Sequence, residues 1–412
     1  MNIIYLTWGE TPRSYGVFRS QAINQLIKTK NLMPNQNFFF LSGIPVIHSG
    51  WIREKFSYVR EIKKIKATLK PIKFDWIPIY ASQNFVNSNR FTFNFMHGLA
   101  LIHLYRKLKK INPSIIHCRS YHATWAALSV KKKYSLKYKV IFDARGPWPE
   151  EVALKKGYKE NSKNFNFLKK IESTLIKDSN LTITVSKTMH DHFINLGAKN
   201  DFQIGLGTDL NKFSNEQNSK ISENNERDNL RFCYVGALSK HTWHEPLQLA
   251  QLFLRIKELF PKAKLTIITT SRMSKIKKIF YKKKITDYSI ITTRTIEELV
   301  SILSLQDIGL ISYSIPRNVS QIRLAKSGFS IKAVEYLASG LPIICNKYLA
   351  GISNFIREHD LGIVYDPLDL STLTKDSIYK CTYSGYRNKI LKIAKDFDYS
   401  EHAKIYKKIY LS

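Results

Sequence analysis

Residues Ser327–Asp366 read SGFSIKAVEYLASGLPIICNKYLAGISNFIREHDLGIVYD, and the order of residue types in this stretch decides the fold. Gly328 and Ser330 make a turn that opens a helix with Val334, Leu337 and Ala338 on one face. Gly340 ends that helix, and Leu341–Pro342 lead into an apolar strand, Pro342–Cys345. The start of the helix offers unpaired N–H groups and the positive end of its dipole, a seat for a diphosphate. Lys332 stands in the first turn, where a cation is unfavourable unless an anion binds beside it. Glu335 follows one turn later, within reach of hydroxyls on a ligand held there. The plain alternative is an amphipathic helix with a Lys and a Glu on its surface.

The same alternation of short strands and amphipathic helices extends through the chain. Asn2–Thr7, Asn37–Leu41, Ser114–His117, Lys139–Phe142 and Leu181–Val185 read as strands, separated by helix-length segments. The rhythm breaks at Asn211–Asn229, NKFSNEQNSKISENNERDN, a polar linker. It restarts with Leu230 and RFCYVGAL, then Lys264–Thr269, Asp307–Ser312 and Pro342–Cys345. This predicts an α/β protein with two doubly wound halves, 1–212 and 229–395, joined by a linker at 213–228. Ligands of such sheets bind beyond the carboxyl ends of the strands, so residues just after each strand are the candidates.

In 412 residues, Lys and Arg number 65 against 32 Asp and Glu, a net charge of +33. Abundant Lys, Ile and Asn point to codon bias; a surface this basic still attracts anionic lipid, nucleic acid or phosphorylated substrates. Cys118, Cys233, Cys345 and Cys381 form no CxxC pair, which argues against a zinc site and fits a reducing compartment. The start, MNIIYLTWGE, has too short an apolar run for a signal peptide. No run approaches the ~18 apolar residues of a membrane span. A cytoplasmic protein, soluble or peripheral on the membrane, is expected.

The segment from Ser327 resembles the signature of the retaining GT-B glycosyltransferases of family 4, K-x-x-E-Y-L-A-x-G-x-P, through Lys332, Glu335, Tyr336, Leu337, Ala338, Gly340 and Pro342. The resemblance implies two facing Rossmann-like domains, with a C-terminal helix, about 396–412, crossing back to the first. It implies that Glu335 binds the ribose hydroxyls of a nucleoside diphosphate sugar. It also implies that the first domain presents a glycan or lipid-linked acceptor. The family's longer motif has a first glutamate eight positions earlier, where this chain has Ser327, so the usual contact to the donor sugar is in doubt.

Further matches are looser. RFCYVGALSKHTWHE, Arg231–Glu245, resembles the opening of the donor domain. Gly236 stands at the strand end, Ala237 replaces the usual Arg, and Lys240 is the available cation. KVIFDARGPWPEE, Lys139–Glu151, resembles a D-x-R-G-x-W-x-x-E segment of enzymes that build surface polysaccharides, and Asp143 and Arg145 become catalytic candidates. A salt bridge pinning the loop is the structural alternative. IIHCRSYHATWAA resembles an H-x-H segment, with His117 first and Arg119 in the second position; Arg119 and the loop glycine Gly16 are acceptor-side candidates. GLGTD, Gly205–Asp209, resembles the family's hinge.

Other readings were weighed. Asp396-Phe397-Asp398 is a literal D-x-D, but it lies between helical segments and reads as solvated charge, so no metal is expected. The lone G-x-G, Gly205-Leu206-Gly207, leads into the linker rather than a helix, which counts against an NAD enzyme. A nucleic-acid binder would show a basic groove interleaved with aromatics, and the basic residues are scattered, so no nucleic-acid partner is expected. A sugar-nucleotide 2-epimerase of the same fold is the enzymatic alternative. In Arg53–Lys70, Phe56, Val59, Ile62, Ile65 and Leu69 form one helical stripe flanked by Arg60, Lys63, Lys64, Lys66 and Lys70. Two readings stand: a core helix with a basic solvent face, or a helix lying on an anionic leaflet.

Overall fold

The computed structural model describes residues 1–10, 19–46, 49–80, 90–213, 229–238 and 244–412, the side chains of 19–20, 49–57, 90–97 and 384 apart. Gly16, Lys240, most of the linker at 213–228, and the side chain of Phe56 lie outside them. The chain divides into two compact units, Met1–Gly205 with Tyr399–Ser412, and Leu206–Asp398.

The first unit runs β1 (Asn2–Trp8), α1 (Gln25–Asn31), β2 (Asn37–Pro45), α2 (Ser49–Thr68), β3 (Lys73–Ile79), α3 (Arg90–Ile111) and β4 (Ile115–Arg119). It continues with α4 (Ser120–Tyr134), β5 (Lys139–Asp143), α5 (Trp148–Lys156), α6 (Lys163–Asp178), β6 (Leu181–Thr184), α7 (Lys187–Asn195) and β7 (Asp201–Gln203). The second unit runs β8 (Arg231–Val235), α8 (Pro246–Leu259), β9 (Lys264–Ile268), α9 (Met273–Lys282), β10 (Tyr288–Ile291), α10 (Ile296–Leu303) and β11 (Ile308–Ile311). It ends with α11 (Val319–Ser327), α12 (Ile331–Ala338), β12 (Ile343–Asn346), α13 (Ala350–His359), β13 (Gly362–Tyr365), α14 (Lys375–Lys380) and α15 (Ser384–Ala394). The last helix, α16 (Tyr399–Leu411), belongs to the first unit.

Both sheets are parallel. The first has seven strands in the order β3-β2-β1-β4-β5-β6-β7, the second six in the order β10-β9-β8-β11-β12-β13. Chain direction along the sheet reverses between β1 and β4, and again between β8 and β11. Those two crevices, beyond the carboxyl ends of the strands, are where ligands of doubly wound sheets bind.

Alternate residues of each strand feed opposite faces. Ile3, Tyr5, Phe38 and Phe40 pack with Ile65 and Leu69 of the α2 region and with Tyr406, Ile409 and Tyr410 of α16. Ile4, Leu6, Leu41 and Ile116 pack on the other face with Leu104, Leu108 and Val130. Of the apolar stripe of residues 53–70, Ile65 and Leu69 lie in the core, Ile62 is half-buried and Val59 is exposed, as are Arg60, Lys63, Lys64, Lys66 and Lys70. No helix among the described residues is long and apolar enough to cross a membrane.

The D-x-D segment is more than solvated charge. Asp396 is exposed, but Asp398 Oδ2 accepts from the Leu210 amide at 3.0 Å, and the Phe397 carbonyl accepts from the Thr208 amide at 2.9 Å. Asp398 is thus a bracket for the backbone just after GLGTD, where it satisfies the Leu210 amide.

Candidate active site

In the second unit, β8 ends at Val235 and Gly236 follows with φ +119°, a conformation that favours glycine. A side chain there would also meet Lys332: a Cβ would lie 3.1 Å from its Cε and 3.2 Å from its Nζ. Gly236 and Lys332, distant in sequence, thus share one spot beside the β8–β11 crevice.

Lys332 is 6% exposed. Its ammonium donates to Tyr234 Oη at 3.2 Å and lies 4.8 Å from the centroid of that ring. Among the described residues no ion pair closes on it. Burial pushes the ammonium down to about 7, with Glu335 pulling the other way. Glu335, which keeps part of its surface open, is pushed up to about 7 by burial, against the pull of Lys332. Ser330 is the N-cap of α12, with extended backbone; its hydroxyl makes no bond into the helix, while its carbonyl accepts from the Ala333 amide at 3.0 Å. Gly328 caps the end of α11, donating to the Leu324 carbonyl at 3.0 Å, and its own carbonyl lies where a Cβ on Gly351 would come within 2.6 Å. Two turns and two helix ends are packed tightly around the start of α12.

The rest of the motif is structural. Tyr336 Oη accepts from the Val235 amide at 2.8 Å and lies 3.2 Å from the Leu310 carbonyl. Its ring sits over Gly309, where a Cβ would approach within 2.5 Å. Gly340, at φ +70°, lets the chain leave the helix, with the Leu341 amide reaching back to the Tyr336 carbonyl at 2.9 Å.

One residue here escaped the sequence reading. His244 Nδ1 donates to the Ser312 carbonyl at 2.6 Å, and burial, then the nearby Lys332, holds its pKa well below the ordinary value. It is a neutral imidazole at the mouth of the same crevice. Its only signal in the sequence was a place two residues before the proline that opens α8.

In the first unit, the candidates at the ends of β4 and β5 come together. Tyr410 Oη lies 2.6 Å from His117 Nδ1, His117 Nε2 lies 3.2 Å from Asp143 Oδ2, and Arg145 Nη1 donates to Asp143 Oδ1 at 3.0 Å. His117 and Asp143 are each 1% exposed. Burial would raise the Asp143 carboxyl, but Arg145, His117 and Arg119 together hold it well below the usual range. Burial pushes the Tyr5 phenol, whose ring centroid is 4.7 Å from that of His117, up to about 12. Arg119 is 4% exposed, and its Nε donates to Glu10 Oε1 at 3.1 Å. Neither Tyr410 nor Glu10 was singled out from sequence, because nothing local joins them to β4. Gly146 lies close to Glu151, whose carboxylate oxygen would be 2.8 Å from a Cβ there and would have to swing aside.

Two family models match the chain. Residues 58–204 match the one described as Glycosyltransferase Family 4, and residues 229–379 the one described as Glycosyl transferases group 1. Solved structures of the same fold cover the chain end to end. A sucrose-phosphate synthase from Thermosynechococcus elongatus is 12% identical with a TM-score of 0.67, over 100% of this chain and 98% of its own. HepE from Anabaena, in complex with UDP and glucose, is 13% identical with a TM-score of 0.64, over 100% and 99%. The lipopolysaccharide outer core galactosyltransferase WaaB is 14% identical with a TM-score of 0.63, over 100% of both chains. No curated protein sequence matches. With both halves matched, the chain belongs to the GT-B glycosyltransferases, enzymes that take a sugar from a nucleotide-sugar donor.

Proposed function

We propose that this enzyme transfers a sugar from a nucleoside diphosphate sugar to a hydroxyl of a glycan or lipid-linked acceptor, with retention of configuration, in cell-surface polysaccharide synthesis. The observation that carries the donor half is Lys332: a buried ammonium with no ion pair among the described residues, placed in the first turn of α12 against Gly236. A diphosphate seated there supplies an anion, and N–H groups at the very start of α12 add hydrogen bonds. Glu335 is placed to accept from the ribose hydroxyls. UDP, bound in structures of HepE, is the first nucleotide to test.

Departure of the nucleotide puts charge on its terminal phosphate oxygen. Lys332 and the α12 dipole offset that charge, and their positions are fixed before the reaction. Because these groups supply the positive charge, activity should survive EDTA; loss with EDTA, restored by manganese, would contradict this. Asp143, held ionised between His117 and Arg145, keeps Arg145 in place at the strand ends of the first unit. In that unit the acceptor is met by residues around Arg119. The exposed lysines of α2 are available to an anionic leaflet.

Calorimetric titration with UDP, GDP, ADP and CMP, followed by their sugars, tests the donor reading. Binding of one nucleotide, lost in Lys332→Ala, supports it; no binding of any refutes it. Products formed from donor alone separate transfer from 2-epimerisation.

A further inference from the structure

We propose that the β1–β4 crevice of the first unit receives a phosphoryl group carried by the acceptor, held by Arg119 and Arg145 at the start of α4. This rests on the acceptor-side reading of that unit.

The starting point is two buried guanidinium nitrogens, Arg119 Nη1 and Arg145 Nε, for which the described residues supply no hydrogen-bond acceptor, although each side chain is paired through another nitrogen. A guanidinium N–H can only donate, so whatever satisfies it must bring lone pairs. Buried charged donors left unmet are costly, and two of them stand at the ends of adjacent strands. Arg119 is also the residue from which α4 springs, and it gives that helix no side-chain cap. No acid occupies the first turn of α4. The orphan donors and the open helix start favour the same ligand, an anion rich in oxygen.

The choice among anions follows from what is already committed. Asp143 uses one oxygen on His117 and the other on Arg145 and is closed in. Glu10 is different: its side chain is 28% exposed, and one oxygen rests on Arg119 Nε. It is the group in this cluster that can give way, a carboxylate occupying part of the anion's place. A carboxylate ligand would only repeat Glu10. A phosphoryl group offers three oxygens in diverging directions, enough for two guanidinium groups and the backbone N–H groups of α4. A neutral sugar hydroxyl can accept from one such N–H through its lone pairs, but it brings no charge to offset two guanidinium groups.

Glu10 makes the proposal testable in an unusual direction. Calorimetric titration of the full chain with inorganic phosphate at low ionic strength should show saturable binding. Arg119→Gln should weaken it at least about tenfold, the loss of a charge-assisted bond. Glu10→Gln should tighten it, because the competing charge is gone. Should Arg119→Gln fold poorly, Arg119→Lys keeps the charge without the fork and should weaken phosphate at an unchanged melting temperature. UDP affinity should be the same in all three variants.

Phosphate binding that is absent, or equal in wild type and the Arg119 variants, overturns the proposal. So does phosphate binding lost only in Lys332→Ala, which would assign it to the second unit. Weaker UDP binding in Arg119→Gln would give the phosphoryl group to the donor instead, and acetate binding tighter than phosphate would refute the choice of anion. Phosphate binding that behaves as expected in a protein with no affinity for any nucleotide would sink the donor reading above and leave this site standing.

Discussion

Lys332 and Glu335 sit one turn apart, and each is drawn toward neutrality by its surroundings. Their effects on binding run in opposite directions with pH. The Lys332 ammonium titrates near 7 in the free protein. A bound diphosphate favours the charged form, so below that value the diphosphate meets a cation already present. Above it, binding must take up a proton, and affinity should fall by up to about tenfold per pH unit. Glu335, also near 7, must be ionised to accept from ribose hydroxyls, so affinity for the bare nucleoside should rise through the same range. Calorimetry of UDP at roughly pH 8 in two buffers of different ionisation enthalpy should show proton uptake, absent in Lys332→Met. Glu335→Ala should weaken the nucleotide by ~1.5–3 kcal/mol, the worth of hydrogen bonds to a charged group. Unchanged affinity would return Glu335 to the surface. The sequence made Lys332, Glu335 and Gly236 legible because a helix start and a strand end are local patterns. It could not show that Gly236 and Lys332 meet, nor that His244 joins them, since those contacts depend on how β8 and α12 are stacked.

The strands show the same division between local and distant information. Every strand interior to either sheet was readable: β1, β2, β4, β5 and β6 in one unit, β8, β9, β11 and β12 in the other. The unread ones, β3, β7, β10 and β13, are the four sheet edges. A strand with neighbours on both sides and helices on both faces must be mainly apolar, as in IGLI or the IIC of β12. An edge strand is under no such demand. β3 carries Lys73, Asp75 and even Pro78, which an edge tolerates because one row of N–H groups has no partner to lose. The helix that carries the donor motif is fixed by a distant fit, Tyr336 over Gly309. Gly309→Ala should therefore destabilise the protein by ~1–3 kcal/mol through overpacking. Tyr336→Phe should cost ~1–3 kcal/mol by stranding the Val235 amide. Urea denaturation measures both. Neutral results would mean that α12 is held by its apolar face alone.

Across the whole molecule the dominant fact is a net charge of +33, and the structure shows where part of it stands. α2 was read from sequence either as a core helix or as a lipid-facing one, because a stripe at helical spacing serves both. Ile65 and Leu69 lie in the core, so of the stripe's described side chains only Val59 and part of Ile62 are open to lipid, while the basic residues beside them remain in solvent. α9 adds Lys275, Lys277, Lys278 and Lys282, all exposed, around a Tyr281 that is 83% exposed. Attraction to an anionic leaflet should then be electrostatic and spread over several helices, at about 1 kcal/mol for each basic residue that comes close. Three consequences can be measured by co-sedimentation. The enzyme should bind vesicles rich in anionic lipid and leave neutral ones alone. Binding should vanish by about 0.5 M salt, where screening reaches only a few ångströms. Changing Lys63, Lys64 and Lys66 to Gln should remove a share of the binding and not all of it, because other helices keep their charge. Binding that resists salt would instead point to apolar contact, for which α2 keeps Val59 in solvent. Equal binding to neutral vesicles would refute the electrostatic account, and the lysines would then be left to codon usage.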